Sequence, residues 1–426
     1  MKRIIGLILA VLIMLVFISA VTAGGKQETP AAGGGKTVQV NFTNFSGSAD
    51  KAPFLDQMKA EFEKQNVNIR INVETVGWDN YFTQMQTRIA SGSAPDCYEL
   101  NYENFITYAK KNVLLDLGPL FSKSNFDAAA LNKKALEAFQ ADGRQYGLPV
   151  SYSTVLLFYN KDLFNKAGVS YPAENWTWKE EQTAAEKIRK LGDNIFGINH
   201  PIQFWEFYKV VQQNGGSLLN KEGTGFTVNT PQNVETLQFM VDRVLKSNVM
   251  PTELQLAGLG DWDLFKSGKL GMIVTGIWAF YEFTRDCKFD WDIAVEPGKL
   301  KKATHFFANG LVINKEAKVS DAAFEWIKFM ASSKEAARIR VDAGWELPPS
   351  TYPDVMAVYN SKTPPANRKA VFDSLNYLVT PPVVEQAGEM TDIINLHLQA
   401  AKDGSKTPAQ ALADMQKELE AKISLK

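Results

Sequence analysis

Apolar residues recur along this chain in two rhythms. Residues 37–42 (TVQVNF) and 68–76 (NIRINVETV) alternate apolar and polar positions, the period of a strand with one covered face. Residues 50–65 and 78–91 follow the 3.6-residue period instead. Phe54, Met58 and Phe62 fall on one face of the first, and Phe82, Met85 and Ile89 on one face of the second. This β-α-β-α order predicts a doubly wound α/β unit. Residues 155–159 (VLLFY) have another texture, a continuous apolar run that predicts a strand covered on both faces. Gly147-Leu148-Pro149 before it reads as a turn that leaves the next residues extended. Asp162 is placed to cap a short helix over 163–167, and Gly168 to end it.

The same rhythms continue on both sides. A small-residue turn at 91–96 (SGSAPD) leads into a strand, with Glu99, Asn101 and Tyr102 just past it. Thr177 and Glu180 are spaced as a capping box for a helix reaching about residue 191. A strand at 195–200 precedes an aromatic-rich helical stretch, 201–213, and another helix covers 231–246. Residues 265–280 (FKSGKLGMIVTGIWAF) read as a helix end, a glycine turn, a strand and then Gly-Ile-Trp. Residues 308–318 return as a strand, 321–332 as a helix burying Phe324, Ile327 and Phe329, and 391–402 and 407–421 as closing helices.

Four stretches, in this order, resemble the extracellular solute-binding proteins of ABC importers, the branch that includes maltose-binding protein. They are 147–169, the F-x-x-GK-x-x-M-x-x-x-G-x-W pattern from Phe265 to Trp278, ANGLVINKEAK at 308–318, and the Gly/Pro loop GWELPP at 344–349. The resemblance covers nearly all of the chain after its first residues. It implies an α/β, two-lobed periplasmic-binding-protein fold of type II, each lobe a mixed sheet flanked by helices. The lobes would be 37–152 with 312–362 and 153–311 with 363–426, hinged near 152–155 and 306–311, with the ligand held between them. It also implies a monomer that carries a sugar, oligosaccharide or polyol to a membrane permease powered by a separate ATPase, with no enzymatic activity and no cofactor.

Composition narrows this picture. Hydrophobic residues make up 45% and charged residues 22%, as in an ordinary soluble globular protein. A formal net charge of −1 argues against nucleic acid or an anionic membrane as the main partner. Lys2-Arg3, the apolar run 4–18 and the small residues Val21-Thr22-Ala23 read as an export leader over 1–23 with a cleavage site after Ala23, the alternative being an uncleaved anchor running on to Val21. Its fifteen apolar residues span about 22 Å as a helix, short of a ~30 Å hydrocarbon core. No Cys follows this run, so the usual lipoprotein attachment point is missing and a periplasmic or cell-surface protein is expected. Residues 24–36 (GGKQETPAAGGGK) form a flexible tether; their GGGKT ending lacks the first glycine of a phosphate loop. Cys97 and Cys287, the only cysteines, fall in different lobes and are expected as free thiols.

A sugar offers apolar C–H faces and hydroxyl edges, so its site needs aromatic rings beside carboxylates and amides. Trp278 directly follows a strand, where related proteins place a sugar-stacking Trp, and Trp345 stands in the Gly/Pro loop. Trp205 is the alternative of a cleft ring or the buried face of its own helix. Trp262 could equally be a cap, and Trp78 a hydrophobic staple. Trp176, Trp178, Trp291 and Trp326 read as packing or surface. Among polar candidates, Ser46 lies in the first loop, Glu99, Asn101 and Tyr102 after the third strand, Ser153 at the crossover and Asn309 at the return. Asp96 reads as structural. The competing reading is a secreted glycoside hydrolase, which needs two carboxylates. The chain carries no G-x-S-x-G, H-E-x-x-H or Cys/His catalytic motif, and His200, His305 and His397 have no metal-ligand spacing.

Overall fold

The computed structural model describes residues 37–47 and 50–425. The leader over 1–23 and the tether over 24–36 lie outside the described residues. Eleven strands are formed among them: β1 (Val38–Asn44), β2 (Ile69–Thr75), β3 (Cys97–Asn101), β4 (Gln140–Ala141), β5 (Arg144–Gln145), β6 (Gly147–Asn160), β7 (Phe196–Asn199), β8 (Leu270–Gly276), β9 (Trp291–Ala294), β10 (Thr304–Ile313) and β11 (Leu378–Val379). β4 and β5 make a small hairpin. The other nine form one mixed sheet in the order β2-β1-β3-β10-β6-β8-β7, with β9 beside β6 and β11 beside β10. β1 runs parallel to β2 and β3, and β7 parallel to β8; β10 runs antiparallel to β3 and β6.

β6 organises this sheet. All fourteen of its residues are buried. Its first part, Gly147 to Thr154, pairs with β10; Val155 to Tyr159 pairs with β8, and Leu157 to Asn160 with β9. One strand therefore belongs to two half-sheets, β2-β1-β3-β10-β6 and β6-β8-β7 with β9. This is the expected two-lobed, mixed α/β architecture.

The structure corrects the local reading of this strand. Gly147-Leu148-Pro149 is its beginning, not a turn. Pro149 has no N–H to give the ladder, and it lies opposite Gly310, beside a register irregularity between Asn309 and Gly310. The strand runs on to Asn160, and the next helix follows it directly as Lys161–Ala167, two residues earlier than expected. Its cap is Asn160, whose Oδ1 accepts from the Leu163 amide at 3.1 Å; Asp162 lies inside the first turn. Gly168 ends that helix at φ +61°, as expected.

Helix positions follow the sequence more closely. The Ala52–Gln65 helix buries Leu55, Met58 and Phe62. Phe54 turns aside and meets the Tyr281 ring edge-on at 5.9 Å. The Trp78–Ala90 helix buries Tyr81 and Met85, with Phe82 and Ile89 at the edge of the core. The Trp178–Arg189 helix carries the Thr177/Glu180 capping box. Ala387–Lys402 and Pro408–Lys422 share an apolar core with Pro231–Leu245 and Phe204–Gln213. Cys97 is buried, Cys287 half-buried, and both are free. Among the described residues no helix is long and apolar enough to cross a membrane.

Candidate functional site

The two half-sheets meet where β6 and β10 cross. There Phe306, Phe307, Ala308 and Asn309 stand opposite Thr154, Ser153, Tyr152 and Ser151. Successive strand residues point to opposite faces, so Phe307 and His305 share one face. Phe307 is half-buried. The Trp278 ring meets it edge-on at 5.0 Å and the Trp205 ring at 6.3 Å. Phe307 thus stands between two of the tryptophans singled out from the sequence, and Ser153 lies directly across the ladder from it. Local backbone explains how each ring arrives. β8 stops at Gly276 and a single 3-10 turn, Ile277–Ala279, brings Trp278 back over the strand end. A Cβ at position 276 would lie 2.0 to 2.3 Å from the Trp278 ring, so only glycine fits. Trp205 sits in the first turn of Phe204–Gln213, whose Phe204 amide donates to Asn395 Oδ1 at 2.8 Å. Trp262 lies near the same strand end: its Nε1 donates to Thr275 Oγ1 at 3.3 Å, and its ring meets Phe283 edge-on.

Behind this aromatic face runs a chain of buried polar groups. His305 is fully buried and stacks on Phe307, with ring centroids 3.4 Å apart. Its Nδ1 pairs with the Tyr208 hydroxyl and its Nε2 with Glu103 Oε1 at 3.0 Å. Glu103 Oε2 accepts from Asn101 Nδ2 at 2.6 Å, and Asn101 Oδ1 accepts from Asn104. Burial pushes the Glu103 carboxyl up to about 8, and burial with the Lys209 charge holds His305 well below the usual imidazole range. Asn309 stands opposite Asn101 in the ladder. Tyr102 is half-buried against Phe306, its hydroxyl pushed up to about 12 by burial and the neighbouring Glu103. The neighbouring trio His200, Glu206 and Glu296 has the spacing of a metal site. However, the Lys209 ammonium already fills the cation's place, 2.6 Å from Glu206 and 2.5 Å from Glu296.

Ser46, Glu99 and Trp345 come together elsewhere, around a small void in the first half that Asn44 and Arg340 also line. Glu99 Oε2 accepts the amides of Phe45 at 3.1 Å and Ser46 at 3.0 Å, which pins the first loop. Its other oxygen is buried with no hydrogen-bond partner among the described residues. Burial raises this carboxyl; the Ser46 and Phe45 bonds and Arg340 oppose the rise. Trp345 is 1% exposed, with the Arg340 guanidinium 4.6 Å and the Lys51 ammonium 5.4 Å from its ring. Trp78, in contrast, is 50% exposed and rests on Phe45 and Phe82.

Two features differ from the sequence reading. β3 extends through Glu99 to Asn101, because its pairing with β10 continues to Asn309, so these residues lie within the strand and not past it. Phe307, His305, Tyr208 and Glu103 were not singled out. The alternation in THFFAN would have started the return strand at Thr304, earlier than 308, and placed Phe307 beside the cleft candidates. Asp96 is structural, accepting from the Asn41 amide at 2.8 Å.

The sequence pattern that defines the bacterial extracellular solute-binding proteins matches residues 46–337. An ABC substrate-binding protein from Listeria monocytogenes, solved in complex with cycloalternan, is 44% identical, covers 91% of this chain and 99% of its own, and superposes with a TM-score of 0.87. The arabinooligosaccharide-binding protein of Bacillus subtilis (strain 168) is 26% identical over 344 residues, 76% of either chain. A solute-binding protein from Thermotoga lettingae bound with α-D-tagatose has a TM-score of 0.80 over 91% of this chain and 99% of its own; at 20% identity it speaks for the fold alone.

Proposed function

The chain belongs to the bacterial extracellular solute-binding proteins, and from that premise we propose that it captures an oligosaccharide between its two lobes and delivers it to the permease of an ABC importer. The observation that carries this reading is the half-open aromatic face at the crossing of β6 and β10, where Trp205, Phe307 and Trp278 meet. Rings of this kind cover the apolar faces of sugars, and a site between two half-sheets lets both grip one ligand. Residues 37–152 with 312–362 form one lobe and 153–311 with 363–426 the other, hinged where β6 and β10 cross. Closure shifts a population, so the closed form must gain contacts with the ligand from both sides. Trp278 and Trp205 supply stacking from the second lobe. Trp78 supplies it from the first, and Asn101, Tyr102, Ser153, Asn309 and Trp262 line the way between. Ser46, Glu99 and Trp345 shape the first loop.

The relatives named above are binding proteins, which favours capture over the hydrolase alternative. Of their ligands, cycloalternan is the first choice here, since its binder is the one at 44% identity. The protein acts outside the cytoplasm as a monomer, without a cofactor, and a separate ATPase powers transport.

A thermal-shift screen against cycloalternan, arabino-oligosaccharides, maltose, tagatose and amino acids tests this. A ligand at a hundred times its Kd stabilises by about 2.7 kcal/mol, a shift of a few degrees. A shift with cycloalternan or another saccharide is expected. No shift with any saccharide, together with reducing sugar released from a glycan over hours, would replace binding with hydrolysis.

A further inference from the structure

We propose that His305 is a positioning residue that ties the first lobe to the aromatic face of the second, so that the stance of Trp205 and Phe307 depends on the bond between His305 and Glu103. This rests on the proposed function only in taking that face as the one the ligand meets.

Three elements converge on this imidazole. Glu103 comes from the Tyr102–Lys110 helix beside the first half-sheet, Tyr208 from the Phe204–Gln213 helix of the second, and His305 from β10, which crosses between them. All three side chains are buried, His305 and Tyr208 at 1% exposure or less. Both imidazole nitrogens are engaged, by Glu103 Oε1 at 3.0 Å and by the Tyr208 hydroxyl. The imidazole face lies on Phe307, and its edge meets the Trp205 ring at 5.8 Å. Trp205 and Tyr208 are three residues apart on one helix, hence on one face, so the Tyr208 bond also fixes the turn that carries Trp205.

Hydrogen-bond chemistry gives this chain a direction. Burial pushes Glu103 up to about 8, so at neutral pH its carboxyl keeps a proton and donates it from Oε1 to His305 Nε2, while Asn101 donates to its other oxygen. This selects the neutral tautomer with the proton on Nδ1, which donates to the Tyr208 hydroxyl oxygen. Both imidazole nitrogens are then engaged with His305 neutral. Loss of the Glu103 proton would reverse both bonds. The charged and titratable groups around the chain are Tyr102 on the Glu103 side and Glu206, Lys209 and Glu296 on the Tyr208 side; they bear on Tyr208 and His305 electrostatically. A residue needed merely to fill this buried space could be any ring. The two bonds, reaching into different lobes, are what a phenylalanine could not supply.

His305→Phe keeps a ring against Phe307 and removes both bonds, and Tyr208→Phe removes one. The matched control is His397→Phe, a buried histidine that bonds Glu418 at 2.8 Å within the second lobe's closing helices. In the full chain, three readouts are taken: Kd for cycloalternan by calorimetry, acrylamide quenching of the emission that Trp205→Phe removes, and the ¹⁵N signals of the imidazoles. The expected result is a tenfold or larger rise in Kd and a twofold change in Trp205 quenching for His305→Phe. Smaller changes of the same sign are expected for Tyr208→Phe, and none for His397→Phe even where its melting temperature falls as far. The His305 signal of the wild type at neutral pH should be a neutral imidazole protonated on Nδ1. Unchanged quenching in His305→Phe, or a His305 that takes up a proton near the ordinary imidazole range, overturns the proposal. If the wild type binds no saccharide, the proposed function fails by itself, while quenching and ¹⁵N signals still decide the role of His305.

Discussion

Two regions with similar sequence credentials are built in opposite ways. Around Phe307 the chain gathers rings from three elements and leaves them half-open. Around Glu99 it gathers Arg340, Glu346 and Trp345 and closes over them, leaving Glu99 Oε1, Trp345 Nε1, Glu346 Oε2 and two guanidinium nitrogens of Arg340 without hydrogen-bond partners among the described residues. Uncharged rings can stand half in water at little cost, ready for a ligand's apolar face, whereas a buried charge must be held by its surroundings. Arg340 lies 3.9 Å from Glu346, and Glu99 already spends one oxygen on two loop amides. Under the proposed function, the difference separates a surface that would receive a ligand from a support that fixes the first loop.

The sharpest way to break this contrast is Glu99→Ala. It frees two amides and leaves Arg340 with less compensation, so urea unfolding should report a loss of about 3 kcal/mol. A change in ligand affinity larger than the change in stability would move Glu99 to the receiving side. Trp278→Ala should do the reverse: calorimetry should find affinity weaker by roughly thirtyfold, about 2 kcal/mol, with less effect on unfolding. Next in size is a pH effect. Glu103 is pushed up to about 8 by burial, so its protonated form favours the fold. That contribution is complete below the ordinary carboxyl range and is lost as pH climbs toward 8. Glu103→Gln has no proton to lose. Its stability relative to the wild type should therefore rise by roughly 1–2 kcal/mol between pH 5 and pH 8, read from urea midpoints at each pH. The smallest effect is expected at Arg285, whose 2.9 Å pair with Asp50 joins the two sides at the surface. Its side chain is 43% exposed, so Arg285→Ala should cost less than about 1 kcal/mol, and 0.5 M salt should erase the difference.

How much of this was legible depends on whether the signal was local. The Thr177/Glu180 box and the Gly168 stop are settled within a few residues of chain, and both formed as read. The strand-to-helix order of the first half followed from periodicity alone. The length of β6 was hidden because its first part is buried by β10, a partner far away in sequence, and Pro149 looks like punctuation until the irregularity opposite it is seen. The same pairing carries β3 through Glu99 and Asn101. Trp278, Trp205 and Ser153 were found as single candidates. Their meeting at Phe307 is not legible there, since a return strand that starts at 308 leaves Phe307 out. The burial of Trp345 was unreadable for another reason. A Gly/Pro loop looks exposed by composition, and nothing local announces that Arg340 and Lys51 cover the ring.

The double membership of β6 also bears on the order in which the molecule can be assembled. The Thr154 and Thr304 hydroxyls bond at 3.3 Å although they are 150 residues apart in sequence. The first half-sheet cannot close until β10 exists, because β10 fills the gap between β3 and β6. Contacts of such long range are slow to form, since the loop between them must be closed first. The strands β1 to β3 therefore have no finished sheet to settle into until β10 has been made.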